Sequence, residues 1–132
     1  MILFVDDEPR EMSSYVEELR FSGYEVAYES DVDSALKFFA ANLDNLDLVI
    51  LDIMMPPGEA LKNRDTEFGL RTGIYMYREF RVQSPDLPVI ILTNVSDVQV
   101  ARFFHQEAKC IFLPKEDVLP YELAEQVAAV LV

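Results

Sequence analysis

Apolar residues in this chain come in short unbroken runs, separated by stretches of helical periodicity. Ile2-Leu3-Phe4-Val5, Leu48-Val49-Ile50-Leu51, Pro88-Val89-Ile90-Ile91-Leu92 and Cys110-Ile111-Phe112-Leu113 are continuous rather than alternating. Strands read this way when a parallel sheet is covered on both faces. A further strand is predicted near Tyr24 to Tyr28, after a break at Gly23. Between the runs, Met12, Tyr15, Val16 and Leu19 recur at helical spacing behind Pro9, which suits a first helical turn. Val32, Ala35, Leu36, Phe39 and Leu43 follow Ser30 and Asp31, either of which can cap a helix. Ile74, Tyr77 and Phe80 mark a helix from about Gly73. Val100, Ala101, Phe104 and Ala108 mark the inner face of one from Asp97 to Glu107, and Leu123, Val127, Val130 and Leu131 mark one opened by Pro120.

Five strand–helix units result, the pattern of a doubly wound α/β domain spanning residues 1–132. One stretch breaks it. Pro56 to Thr72 is longer than the roughly 2–6 residues usual between a strand and its helix.

Composition narrows the function classes. The chain is 51% hydrophobic and 27% charged, which suits a full core and disfavours disorder. Asp plus Glu number 24 against 11 Lys plus Arg, a formal charge of -13. That balance repels phosphate backbones and anionic lipid, so direct nucleic-acid or membrane binding is not expected. The charge is uneven, because Lys62, Arg64, Arg71, Arg78 and Arg81 make the middle locally basic. A single cysteine, Cys110, excludes an internal disulfide and fits a reducing, cytoplasmic setting. No apolar run approaches the roughly 18 residues of a membrane span, and no cationic leader precedes Asp6.

The candidate chemistry lies in where the polar residues fall. Asp6, Asp7 and Glu8 follow the first strand, Asp52 follows the third, Thr93 ends the fourth, and Lys115 lies just beyond the fifth. Ligands of open parallel sheets bind at the carboxyl ends of strands, near the point where strand order reverses. With the order 2-1-3-4-5 the carboxylates converge there. Clustered carboxylates raise one another's pKa unless a cation compensates. Magnesium is the small hard ion that pairs carboxylates with a substrate phosphate. Asp52, alone at the end of a central strand, is the candidate nucleophile for an acyl phosphate. Singly, Asp7 fits a helix cap, Asp52 a turn, Thr93 a cap and Lys115 a solvated loop charge. Their joint placement at four strand ends on one edge favours a site.

Phe4-Val5-Asp6-Asp7-Glu8, Leu51-Asp52-Ile53-Met54-Met55-Pro56, Ile91-Leu92-Thr93 and Phe112-Leu113-Pro114-Lys115 together resemble the motifs of response-regulator receiver domains of two-component signalling. The resemblance implies a flavodoxin-like sheet of order 2-1-3-4-5 with helices on both faces. It implies a phosphoprotein switch with Asp52 as phosphoacceptor. Magnesium would be held by Asp7 and Asp52, by Asp6 largely through water, and by the Met54 backbone carbonyl. Thr93 and Lys115 would bind the phosphoryl group, and Phe112 would be the aromatic that reports the switch. The implied partners are a sensor histidine kinase or phosphotransfer protein, and an effector met by the fourth helix, fifth strand and fifth helix. A phosphorylation-dependent homodimer also fits. Such a domain catalyses only its own phosphoryl transfer and dephosphorylation.

Three departures from the family pattern stand out. Pro114 precedes Lys115 and Glu116 follows it, where the family has Lys then a cis-linked Pro. A cis Lys115–Glu116 bond would cost about 3–4 kcal/mol, so a trans bond and an altered loop are expected. Residues 57–72 form an insertion, read either as a mobile surface loop without a role or as a lid whose Lys62, Arg64 or Arg71 reaches the phosphoryl site or an acidic partner. Asn94 follows Thr93 where a small residue is usual. Two other functions are compatible with these features: a degenerate receiver that docks partners without phosphorylation, and a magnesium-dependent phosphohydrolase. His105 reads as a surface residue, Cys110 as a small buried hydrophobe, and Phe103-Phe104 as split between core and surface.

Overall fold

Continuous apolar strands need cover on both faces, and the helices provide it. The computed structural model describes residues 1–95 and 97–132. Strands β1 (Ile2–Val5), β2 (Val26–Glu29), β3 (Leu48–Leu51), β4 (Val89–Thr93) and β5 (Cys110–Pro114) form one parallel sheet in the order β2-β1-β3-β4-β5. Helices α1 (Pro9–Phe21), α2 (Val32–Ala41), α3 (Thr72–Gln83), α4 (Val98–His105) and α5 (Pro120–Val130) alternate with them. The fold class and strand order are those expected from the sequence.

Successive strand residues point to opposite faces, and the core divides accordingly. Leu3, Val5, Val49, Leu51, Val89 and Ile91 pack with Ala35, Phe39, Phe80 and Phe104 of α2, α3 and α4. Ile2, Phe4, Leu48, Ile50, Ile90 and Leu92 pack with Met12, Val16, Leu19, Leu123 and Val127 of α1 and α5. The rings of Phe39 and Phe80 stack at 4.1 Å between centroids and join α2 to α3.

The register places the polar residues that follow. Val5 lies opposite Leu51, and the Asp52 amide donates to the Val5 carbonyl at 3.0 Å. Asp6 and Asp52 therefore emerge side by side. Gly73, the second residue of α3, presses that helix onto the exit of β3. A Cβ there would lie 2.4 Å from the Asp52 carbonyl oxygen and 2.5 Å from the Ile53 Cα. Only glycine permits this approach, and its amide donates to the Ile53 carbonyl at 2.8 Å.

Three expected boundaries shift. β2 begins at Val26, because the Tyr24 amide donates back to the Leu19 carbonyl and closes the end of α1. Leu43, half-buried, belongs to a separate 3-10 turn, Leu43–Asn45. α4 stops at His105, so Ala108 is exposed on the following turn and Ala101 is only half-buried.

The stretch between β3 and α3 is built into the domain. Leu61 and Thr66 are buried, and Leu61 joins the α2/α3/α4 core. The Asp33 carboxylate of α2 accepts hydrogen bonds from the Glu59 and Ala60 amides, at 2.9 and 2.8 Å. At the far end, the Met55 amide donates to the Gly69 carbonyl at 3.1 Å, and the Thr72 hydroxyl donates to the Met55 carbonyl. Leu61→Ala is expected to cost about 2–3 kcal/mol, as for other buried leucines. Urea unfolding checks this: a lowered midpoint with an unchanged slope is expected, and an unmoved midpoint would return the stretch to a loop without structural weight.

Candidate functional site

Four strand ends bring the predicted polar residues to one edge of the sheet. Asp6 and Asp7 follow β1, Asp52 follows β3, Thr93 closes β4, and Lys115 opens a 3-10 turn, Lys115–Asp117, directly after β5. Asp6 and Asp52 are 1% and 4% exposed, and each of the three aspartates offers an oxygen within 4.8 Å of the others.

Backbone amides orient two of these carboxylates. Asp6 Oδ1 accepts from the Glu8 amide at 2.8 Å and Asp52 Oδ1 from the Ile53 amide at 2.8 Å. Their Oδ2 atoms then face Lys115, whose Nζ lies 2.7 Å from Asp6 and 3.3 Å from Asp52. Asp6 Oδ2 meets Lys115 as an ion pair and takes no hydrogen bond from any other described residue. Asp7 Oδ1 is buried with no hydrogen-bond partner among the described residues. The reading of Asp7 as a helix cap does not hold: Glu8 stands at the cap of α1, and no side chain bonds to that helix end.

The unusual Lys115 segment does not keep the ammonium away. Every peptide bond among the described residues is trans, and the tight turn after Pro114 still delivers the side chain, 9% exposed, between the two acids. The Thr93 hydroxyl is fully buried, accepts from the Val95 amide at 3.3 Å, and acts on Asp52 to lower its pKa. Met54 lies two residues beyond Asp52. The carbonyls on either side of it, those of Ile53 and Met55, accept from Gly73 and Thr72, while no described residue donates to the Met54 carbonyl.

Burial dominates the titration of the site. It pushes Asp6 from an ordinary 3.8 to about 6, with Asp52 adding repulsion against the relief from Lys115. Asp7 is raised by burial and then by Asp6, and Asp52 by burial despite Lys115 and Thr93. Burial alone would depress Lys115, but its bond to Asp6 and the fields of Asp52 and Asp6 outweigh this and raise it. Three clustered carboxylates thus have one ammonium among them, in contact with two. A divalent, oxygen-seeking cation would balance the remaining charge, and the aspartate oxygens together with the Met54 carbonyl are donors of the kind it takes.

The other predicted residues fall elsewhere. Lys62 pairs with Glu59 at 2.9 Å, and the Arg64 guanidinium sits over the Tyr75 ring at 6.0 Å. Arg71 meets Glu67 at 3.0 Å and Asp97 at 3.7 Å. Each is engaged away from Asp52. Phe112 is half-buried on β5, between the rings of Phe104 and His105. Phe104 is buried and Phe103 half-buried, His105 is exposed, and Cys110 is half-buried with a thiol pushed up to about 12 by burial.

Asp7 and Asp52 open into a cleft of about 520 Å³. Asp7, Glu8, Asn94 and Lys115 line it, and so do Met54, Pro56, Pro57 and Phe68. Nothing near residue 68 in sequence signals that Phe68 returns to the site. Tyr28, which the sequence marks only as a strand residue, donates its hydroxyl to the Asp6 carbonyl at 2.6 Å.

Comparison with known proteins places this geometry. The family model for the response regulator receiver domain matches residues 2–127. The response regulator MprA of Mycolicibacterium vanbaalenii is 31% identical over 127 residues, covering 96% of this chain and 47% of that protein. The chain spans about half the length of the curated relatives it matches. A receiver domain protein from Clostridium thermocellum superposes with a TM-score of 0.80 at 27% identity, covering 98% of this chain and 92% of the other. The receiver domain of the hybrid histidine kinase CckA gives 0.73 at 29%, covering 99% and 98%.

The raised carboxylates set a pH dependence. Asp6 binds its proton more tightly folded than unfolded, so its contribution to stability is present below pH 3.8 and is lost as pH rises through about 6. Asp7 and Asp52 are raised and act in the same direction. In chelator, the stability contributed by the site should therefore fall between about pH 4 and pH 6. Urea midpoints across that window check this, with Asp6→Asn flattening the fall. A wild-type midpoint no more pH-sensitive than that of the variant would contradict it.

Proposed function

Because the chain belongs to the response regulator receiver domain family, we propose that it is a phosphoacceptor switch of a two-component system, taking a phosphoryl group on Asp52. The observation that carries this reading is Lys115 held between Asp6 and Asp52 beside an unpaired Asp7 oxygen. This is a cation positioned for an incoming anion next to a vacancy in charge balance.

The chain's own residues divide the work. Asp52 forms the new P–O bond through a carboxylate oxygen, and the bond from phosphorus to the donor breaks. Lys115 binds a phosphoryl oxygen, exchanging one of its carboxylate partners for it. Thr93, at the end of β4, donates its hydroxyl to another oxygen. Asp6, Asp7, Asp52 and the Met54 carbonyl would hold magnesium, which would supply positive charge to offset the transferring group. The low exposure of Asp6 and Asp52 strengthens each of these interactions, because little water screens them.

The donor on this reading is a histidine kinase or phosphotransfer protein. The gain of about 1.5–2 negative charges draws on Thr93 and, through β4 and β5, on the face of α4, β5 and α5. A groove of about 620 Å³ between Val98, Ala101, His105, Phe112 and Pro114 lies on that face and is where we assign effector contact, with Phe112 reporting the state of the site. The reach of Lys115 favours phosphoryl acceptance over a receiver that only docks partners.

Acetyl phosphate with magnesium should add one phosphoryl mass to the wild-type chain. EDTA should abolish the gain, and so should Asp52→Asn; intact-mass spectrometry reads all three. Lys115→Met should slow the gain by at least about 10-fold through loss of a charge-assisted contact. A folded wild-type protein that never gains mass would overturn the proposal.

A further inference from the structure

Phe68 gives the fold nothing that its exposure would lead one to expect. The side chain is 106% exposed, so the ring buries no surface. The backbone is in the left-handed region at φ 59°, between Glu67 at 51° and Gly69 at 91°. Left-handed residues other than glycine are unfavourable, and successive ones more so. An outlier of this kind, sustained by its surroundings, is a reason to look for a role beyond stability.

Those surroundings do sustain it. The Gly69 amide donates to the Thr66 hydroxyl at 3.2 Å, the Gly69 carbonyl accepts from Met55, and the Glu67 carboxylate is held by Arg71 at 3.0 Å. A Cβ on Gly69 would lie 2.8 Å from the Met55 carbonyl oxygen, so this turn is pressed against the chain leaving β3. The backbone so held places the exposed ring at the mouth of the cleft that holds Asp52 and Lys115. Charged Asp7, Glu8, Asp52 and Lys115 line the cleft together with apolar Met54, Pro56, Pro57 and Phe68.

We propose that Phe68 is a specificity-determining residue for phosphoryl transfer, its ring stacking on the imidazole that leaves a phosphohistidine donor. The inference rests on the function proposed above and names the donor chemistry for that same site. In-line displacement puts the leaving group opposite the attacking oxygen. As the Asp52 carboxylate oxygen bonds to phosphorus, the P–N bond breaks and its electron pair departs with the imidazole nitrogen, which takes a proton from solvent. That imidazole leaves toward the mouth of the cleft, where Phe68 stands. A flat ring with apolar faces gains from an aromatic neighbour. A donor without a ring does not.

The test compares two small P–N donors, monophosphoimidazole and phosphoramidate, on the full chain with magnesium, with second-order rate constants read by intact mass. Phe68→Ala should lower the rate with monophosphoimidazole about 3- to 10-fold and leave phosphoramidate within about 2-fold. Phe68→Tyr should restore the wild-type ratio. Because the ring is fully exposed, the melting temperature of Phe68→Ala should not fall. An unchanged ratio of the two donors, or an equal loss with both, overturns the role of Phe68 and leaves the phosphoacceptor reading standing. A wild-type chain that takes phosphate from neither donor, nor from acetyl phosphate, removes both.

Discussion

Three carboxylates gathered around a single ammonium are the constraint on which the rest of this structure depends. Asp6 and Asp52 are almost completely withdrawn from water, and burial raises their pKa values and that of Asp7. A cluster of this kind opposes folding unless something compensates. Lys115 does so in part, touching two of the three acids, and the Glu8 and Ile53 amides fix one oxygen on each of those two. Compensation stops short at Asp7, where a buried oxygen has no partner. Protein residues alone leave the site under-compensated, which is the condition a site needs to bind a cation and then an anion.

The fold serves this arrangement by topology. Placing β1 and β3 side by side sends Asp6 and Asp52 out together, and β4 and β5 follow with Thr93 and Lys115 in sequence across the same edge. The strands differ in length by one residue at most, so their ends stay level and the side chains meet. Gly73 then seals the arrangement from one side by letting α3 rest on the backbone of Asp52 and Ile53. Through that contact, α3 and the acidic loop keep a common position.

Much of this was legible in the sequence, for identifiable reasons. Unbroken runs such as Leu48–Leu51 mark buried parallel strands, and polar residues placed directly after them mark the functional edge. The start of β2 was not legible, because Tyr24 has the strand propensity of its neighbours while its amide completes the end of α1. The inward aim of Lys115 was not legible, since the order Pro-Lys-Glu does not by itself specify the tight turn that delivers the side chain. The inserted stretch was the least legible part. Its attachment depends on Asp33, remote in sequence and shaped like any exposed helix acid. Its contribution to the cleft depends on a left-handed Phe68 that no periodicity announces.

The pairing of Arg71 with Asp97 has a consequence for how this domain can be recombined. Asp97 caps α4, accepting from the Gln99 and Val100 amides, and it also meets a guanidinium that comes from the inserted stretch. Two segments of the chain thus share one carboxylate at the start of the helix that borders the groove between Val98, Ala101, His105, Phe112 and Pro114. A chimera that trims the stretch to an ordinary loop would take the guanidinium away from Asp97, and one that imports a foreign α4 would leave Arg71 paired with Glu67 alone. A graft that carries both the stretch and that helix keeps this half-exposed pair, worth at most about 1 kcal/mol.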